Sequence, residues 1–177
     1  MTLRYPEQPL EDLPTPPHSF TDKEGREISI RQPTYEDVDP LVEMYLEFDS
    51  QDRAQGIPPS GEDPIRDWLD VVMKEQSLNV IAWNGEDAVG HAMLVRDDET
   101  SYELAIFVLQ SHQNAGIGTE LVETALGEGQ RQGITRVWLS VERWNRPAIA
   151  LYEKIGFERM DDASFEIQMT ARLAEDE

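Results

Sequence analysis

The sequence contains no cysteine. That absence excludes a disulfide framework, a thiolate zinc site and a cysteine nucleophile. Histidine is scarce: His18, His91 and His112 are widely spaced, and no two stand at metal-ligand spacing. No apolar run is long enough to cross a bilayer, and the N-terminal residues show no signal-peptide pattern. Lysine is confined to Lys23, Lys74 and Lys154. These absences together lead to the expectation of a cytoplasmic protein that uses no metal and binds no membrane.

Basic charge is short everywhere. The 177 residues hold 36 acidic side chains against 15 lysines and arginines, a net charge of -21. The acidic residues are spread almost evenly along the chain and form no long block, as in a coat over the whole surface. Such a coat matches the habit of salt-in halophiles, where high salt screens the self-repulsion. Nucleic acid as a partner is not expected, because it needs a basic footprint.

One domain with a sizeable core is the expectation for this length. Residues 1–19 carry Pro6, Pro9, Pro14, Pro16 and Pro17 and read as an extended arm, either disordered or laid over the domain. A domain over residues 20–172 and an acidic tail over residues 173–177 follow. Phe20–Asp22 and Glu27–Arg31 flank the turn Lys23-Glu24-Gly25-Arg26 as a hairpin. Asp39-Pro40 and Asp63-Pro64 mark helix starts, the first helix carrying Leu41, Val42, Tyr45, Leu46 and Phe48 and the second holding Ile65, Trp68, Leu69 and Val72 on one stripe. A loop, Gln51–Gly61, separates them. Leu78–Trp83 and Ala88–Val95 form a hairpin about Asn84-Gly85, and Phe165, Ile167 and Met169 alternate as the last strand. Trp68, Trp83, Trp138 and Trp144 read as core or cleft-wall aromatics.

The segment from Glu103 to Phe157 organises the rest. Glu103–Val108 is a strand. The turn Gln113-Asn114-Ala115-Gly116-Ile117-Gly118 opens a helix whose apolar positions Ile117, Leu121, Val122, Ala125 and Leu126 share one face. Gly133 suits a left-handed C-terminal residue. Val137, Leu139 and Val141 alternate as a strand, and Asn145 to Pro147 start a second helix that Gly156 ends. A glycine turn feeding a helix is an anion site, since the first helical N–H groups lack partners and the dipole favours negative charge. A P-loop would need Lys and Ser or Thr after Gly118, where Thr119 and Glu120 stand. The dinucleotide fingerprint would need glycine at Leu121.

What remains resembles the acyl-CoA pyrophosphate loop of the GNAT N-acetyltransferases, Gln/Arg-x-x-Gly-x-Gly/Ala, matched by Gln113, Gly116 and Gly118. A second signature of that family, Asn-x-x-Ala-x-x-Leu-Tyr-x-x-x-Gly-Phe, is met by Asn145, Ala148, Leu151, Tyr152, Gly156 and Phe157. The resemblance implies a mixed, mostly antiparallel α/β sheet splayed open between its fourth and fifth strands, the opening hairpin counted as the first. Acetyl-CoA would lie in the opening as co-substrate. Its pantetheine arm would pair with the backbone of Ile106, Phe107 and Val108. Its pyrophosphate would sit on Gln113, Asn114, Ala115, Gly116, Ile117, Gly118 and Thr119.

The chemistry so implied is transfer of an acetyl group to a primary amine. An alkylamine has a pKa of about 10.4 and must lose a proton before it attacks. Glu103 is the candidate base, or else a solvated strand-end carboxylate. Tyr152 holds the family's position for a donor to the departing thiolate, and as a helix aromatic it is also core-like. Asn145 either contacts the pantetheine amides or caps its helix. The strand opening Glu103-Leu104-Ala105 and the first hairpin look like the protein-lysine acetyltransferases that act on acyl-CoA synthetases, so a protein lysine leads as acceptor. A small amine, a protein N-terminus and a silent acyl-CoA sensor are the alternatives. The sensor stays open because Ala115 stands where the family commonly has a cation.

Overall fold

The computed structural model describes residues 3–48, 58–74, 77–97, 100–160 and 165–175. Residues 51–57 of the expected loop between the first two helices lie outside these ranges. In chain order the elements are β1 (His18–Thr21), β2 (Glu27–Arg31), a 3-10 turn (Tyr35–Asp37), α1 (Val38–Leu46), α2 (Glu62–Val72), β3 (Ser77–Asn84) and β4 (Asp87–Arg96). After these come β5 (Tyr102–Val108), a second 3-10 turn (Gln110–His112), α3 (Ile117–Arg131), β6 (Arg136–Glu142), α4 (Arg146–Ile155), β7 (Glu158–Arg159) and β8 (Glu166–Arg172).

The strands make one eight-stranded sheet in the order β1-β2-β3-β4-β5-β6-β8-β7. Every pairing is antiparallel except β5 with β6. This is the mixed α/β architecture expected. The predicted α3 stripe is the buried one: Ile117, Leu121, Val122, Ala125 and Leu126 are all 0% exposed. Burying each of the larger side chains contributes about 1.5–3 kcal/mol.

Several boundaries differ from the sequence reading, each for a local reason. Helix α1 starts at Val38, because a 3-10 turn precedes it and the Thr34 N–H donates to the Asp37 carboxylate at 2.8 Å. The β3–β4 turn is Gly85-Glu86, since Asn84 pairs with Asp87. The last strand begins at Glu166, and Phe165 stays 93% exposed outside it. Strand β7 has two exposed polar residues and no alternation by which to find it. Trp83 is core and Trp68 joins an aromatic cluster, but Trp144 is 73% exposed.

The proline-rich arm lies along the fold before β1. Its Leu10 N–H donates to the Arg172 carbonyl at 2.8 Å, and Gln130 Nε2 donates to the Leu10 carbonyl at 2.9 Å. Gly127 on α3 is glycine by necessity, because a Cβ there would stand 1.8 Å from the Pro14 carbonyl oxygen.

Beneath the sheet, the Tyr45 hydroxyl donates to His91 Nδ1 at 2.7 Å, and His91 Nε2–H donates to Asn79 Oδ1 at 2.8 Å. Both rings are 0% exposed, and burial alone pushes the His91 imidazole down to about 3. The unfolded value is near 6.5, so between the two only the unfolded chain takes up the proton. Stability is therefore fully present above pH 6.5 and is lost as pH falls toward 3, at about 1.4 kcal/mol per unit. Urea unfolding at pH 7.5 and 5.5 should show this loss, with the His91 NMR resonances unmoved across that interval. A His91 that titrates near its ordinary value would contradict it.

Candidate active site

Strand β5 is paired along its full length with β4, from Arg96↔Tyr102 to Gly90↔Val108. On its other edge it meets β6 only at Tyr102↔Val137 and Glu103↔Trp138. Beyond Glu103 the two strands diverge, and the β6-facing edge of β5 has no ladder partner among the described residues. Ile106, Phe107 and Val108 are half-buried along that opening. An unpaired strand edge inside a sheet is a template for an extended ligand carrying amide groups.

The opening leads to the start of α3. Gln113 reaches back from the loop, and its Nε2 donates to the Val108 carbonyl at 3.0 Å. Asn114 holds φ +60, a left-handed conformation that Asn tolerates. Gly116 is the N-cap residue at φ +92, and no side chain caps the helix. The N–H groups of Ile117, Gly118 and Thr119 thus begin the helix with no side-chain acceptor, at its positive end. Gly118 has a packing reason beyond the one read from sequence. A Cβ there would lie 3.2 Å from Leu151 Cδ1 and 3.7 Å from Ile106 Cδ1, so α4 and β5 close on α3 at this point.

The pleat of β5 separates two faces. Phe107 packs edge-on against Tyr45 and Trp68, each at 5.7 Å between centroids, which puts it on the α1/α2 side. Glu103 shares that side by strand periodicity, whereas Ile106 faces α3 and α4. Glu103 is exposed by surface area, yet its carboxyl is held above the usual range. Partial burial is the larger cause, followed by the negative charges of Glu166 and Asp97. The sheet pairs Glu103 directly with Trp138, whose Nε1 donates to Asp97 at 3.0 Å. A carboxylate so raised is a better base than an ordinary surface glutamate.

Tyr152 is on α4, on the opposite side of the opening from Glu103. It is buried, packs edge-on against Phe157 at 5.9 Å, and its phenol is pushed up to about 12 by burial. It therefore stays protonated at neutral pH and is available as a donor. Asn145 caps α4: its Oδ1 accepts from the Ala148 N–H at 3.3 Å. That oxygen is committed to the helix, which leaves the amide NH2 for any further contact. Glu142 ends β6 opposite Glu166 on the Glu103 side of the sheet.

The structure also shows neighbours of the site that the sequence reading did not bring together. Asp97 and Trp138 flank Glu103, and the β1–β2 turn is tied to the glycine loop through the Lys23 N–H and the Ala115 carbonyl at 3.0 Å. Neither is signalled by local pattern, because each joins segments distant in sequence. Among the described residues no cluster of ligating side chains stands where it would hold a metal ion, and no helix is long and apolar enough to cross a membrane.

The model of the acetyltransferase (GNAT) family matches residues 39–157, well over half of the chain. The chain belongs to the GNAT family. Among curated relatives, the [ribosomal protein bS18]-alanine N-acetyltransferase of Escherichia coli K12 is 36% identical over 85 residues, which is 47% of this chain and 56% of that protein. The mycothiol acetyltransferase of Corynebacterium glutamicum is 36% identical over 76 residues, 42% of this chain and 26% of that protein. The chain thus matches about half or less of the curated relatives' length. Solved structures share the GNAT fold at low identity. The GNAT domain of S. lividans PAT superposes with a TM-score of 0.75 at 16% identity, over 88% of this chain and 96% of that one. The yncA protein of Salmonella typhimurium, solved with its cofactor acetyl-CoA, gives 0.69 at 18%, over 84% and 95%.

Acetyl-CoA fits the groups this GNAT chain presents. The free edge of β5 offers main-chain partners for the pantetheine amides, and the uncapped start of α3 offers N–H donors for the pyrophosphate.

Proposed function

We propose that this protein is an acetyl-CoA-dependent N-acetyltransferase acting on a primary amine, with a protein lysine as the leading acceptor. The observation that carries the reading is the opening between β5 and β6, which runs from Glu103 to the glycine loop at the start of α3. Ile106 to Val108, Gln113 to Thr119 and the amide of Asn145 would hold the cofactor. When bound, acetyl-CoA supplies an activated thioester carbonyl.

The chain's own residues divide the proton work between the two faces. Glu103, with its raised carboxyl, accepts the proton of the incoming ammonium, directly or through water. Tyr152 faces the leaving sulfur from α4. With the phenol near 12 and a thiol near 8.5, complete proton transfer to sulfur would be uphill by about 5 kcal/mol. Tyr152 therefore serves as a hydrogen-bond donor to the developing thiolate. The negative charges of Glu166 and Asp97 that act on Glu103 favour the approach of a cationic amine.

A second acceptor is the α-amine of a protein N-terminus, favoured by the likeness to the bS18-alanine enzyme. Two peptides separate these readings: one with a blocked N-terminus and a single lysine, the other lysine-free with a free N-terminal alanine. Incubated with acetyl-CoA and the protein, the lysine peptide should gain the acetyl mass at the faster rate. Faster modification of the alanine peptide would replace lysine with the N-terminus as the acceptor.

A further inference from the structure

Granting that acetyl-CoA occupies the β5–β6 opening, we propose that Lys23 supplies the cation of the pyrophosphate site, delivered by the β1–β2 hairpin instead of by the glycine loop. The loop itself has no positive side chain from Gln113 to Thr119. The anionic nucleotide must also approach a protein of net charge -21, whose field opposes it. A helix N-terminus carries about half an elementary charge, which leaves a pyrophosphate incompletely balanced.

The hairpin is fixed to the loop at two points. Arg26 Nη1 donates to the Ser111 carbonyl at 3.2 Å, and the Lys23 N–H donates to the Ala115 carbonyl at 3.0 Å. The turn between them is rigid, because the buried Asp22 carboxylate accepts from the Glu24 N–H at 3.0 Å, the Arg26 N–H at 2.9 Å and Arg26 Nε at 2.7 Å. Arg26 is spent on these contacts. Lys23 is not: its main chain makes the tether, while its exposed side chain makes no ion pair among the described residues. Its Cε lies 3.9 Å from where a Cβ on Gly116, the N-cap residue of α3, would stand. The ammonium of one of only three lysines is thereby carried beside the uncapped helix start. Ala115 is itself buried, so its small side chain fits where the hairpin closes over the loop, and the hairpin brings the charge that position lacks.

The test is calorimetric binding by wild type, Lys23→Ala and Lys23→Arg. The ligands are acetyl-CoA, acetyl-dephospho-CoA, which keeps the pyrophosphate but lacks the 3′-phosphate, and S-acetylpantetheine, which lacks both. Lys23→Ala retains the main-chain N–H to Ala115, so the tether and the melting temperature are unchanged. It should bind the first two ligands about tenfold more weakly and the third as wild type does. Lys23→Arg should restore most of the loss. Steady-state kinetics should show KM for acetyl-CoA raised with kcat preserved, as for an interaction made equally in ground and transition states. Wild-type affinity in Lys23→Ala overturns the proposal. Weakening confined to acetyl-CoA overturns the pyrophosphate assignment, because the ammonium would then read the 3′-phosphate. A wild-type protein that binds none of the ligands overturns the cofactor reading and this inference with it; tight wild-type binding unaffected by Lys23→Ala removes the lysine alone.

Discussion

Glu103→Gln should lower turnover at pH 7 by about 10²–10⁴-fold, which is the usual contribution of one general base and roughly 3–5 kcal/mol of barrier. The substitution keeps shape and removes only the ability to accept a proton. Its effect should shrink as pH rises, because a growing share of the acceptor amine is already neutral. The wild-type profile should carry the titration of a base above the ordinary glutamate value, in keeping with the burial and the Glu166 and Asp97 charges around it. Tyr152→Phe acts on the departing thiolate, so raising the pH should give it no comparable rescue. Both variants should bind acetyl-CoA as wild type does, since neither touches the loop from Gln113 to Thr119. A Glu103→Gln enzyme that runs at the wild-type rate across the pH range would reduce Glu103 to a surface carboxylate. Glu142, on the same side of the sheet, would then be the next base to test.

Gly118→Asp should abolish measurable acetyl-CoA binding, and Gly118→Ala should not. The pair is needed because any side chain here meets Leu151 Cδ1 at 3.2 Å. The leucine tip is flexible and can give a few tenths of an ångström, so alanine reports the steric share by itself. Aspartate adds a negative charge in the first turn of α3, which the helix dipole tolerates well. Against a phosphate about 5 Å away, at an effective dielectric near 20, that charge is repulsive by about 3 kcal/mol, or more than a hundredfold in affinity. Asn114→Asp makes the same electrostatic change isosterically on an exposed residue. Circular dichroism should stay native in all three. Unchanged affinity in both acidic variants would remove the phosphates from this loop.

The parts of the fold legible in the sequence were those whose signal is local. Ile117 through Leu126 recur at helical spacing and are the buried face of α3. Asn145, Pro147 and Gly156 punctuate α4, and the capping bond from the Ala148 N–H is the one that an Asn at that position makes best. Pairing extent was not legible. The family resemblance implies the splay, but no local pattern in Tyr102–Val108 or Arg136–Glu142 marks that the ladder between the two strands stops after Glu103↔Trp138. The same holds for the hairpin clamp. Lys23 and Ala115 are far apart in sequence, and no local pattern marks that the Lys23 N–H meets the Ala115 carbonyl. Glu103 was legible as a carboxylate at the head of a strand, but the partial burial that raises it, and the Glu166 and Asp97 charges that add to it, come from outside its own strand.

If the β5–β6 opening holds acetyl-CoA and the acetyl group leaves it for an amine, the wild-type protein should release thiol from acetyl-CoA, followed with and without a lysine peptide. Release should depend on the peptide and match, mole for mole, the acetyl groups found on the lysine ε-nitrogen by mass spectrometry. Calorimetric binding of acetyl-CoA with no amine-dependent thiol release from any lysine, N-terminal or small amine would contradict it and make the protein a sensor.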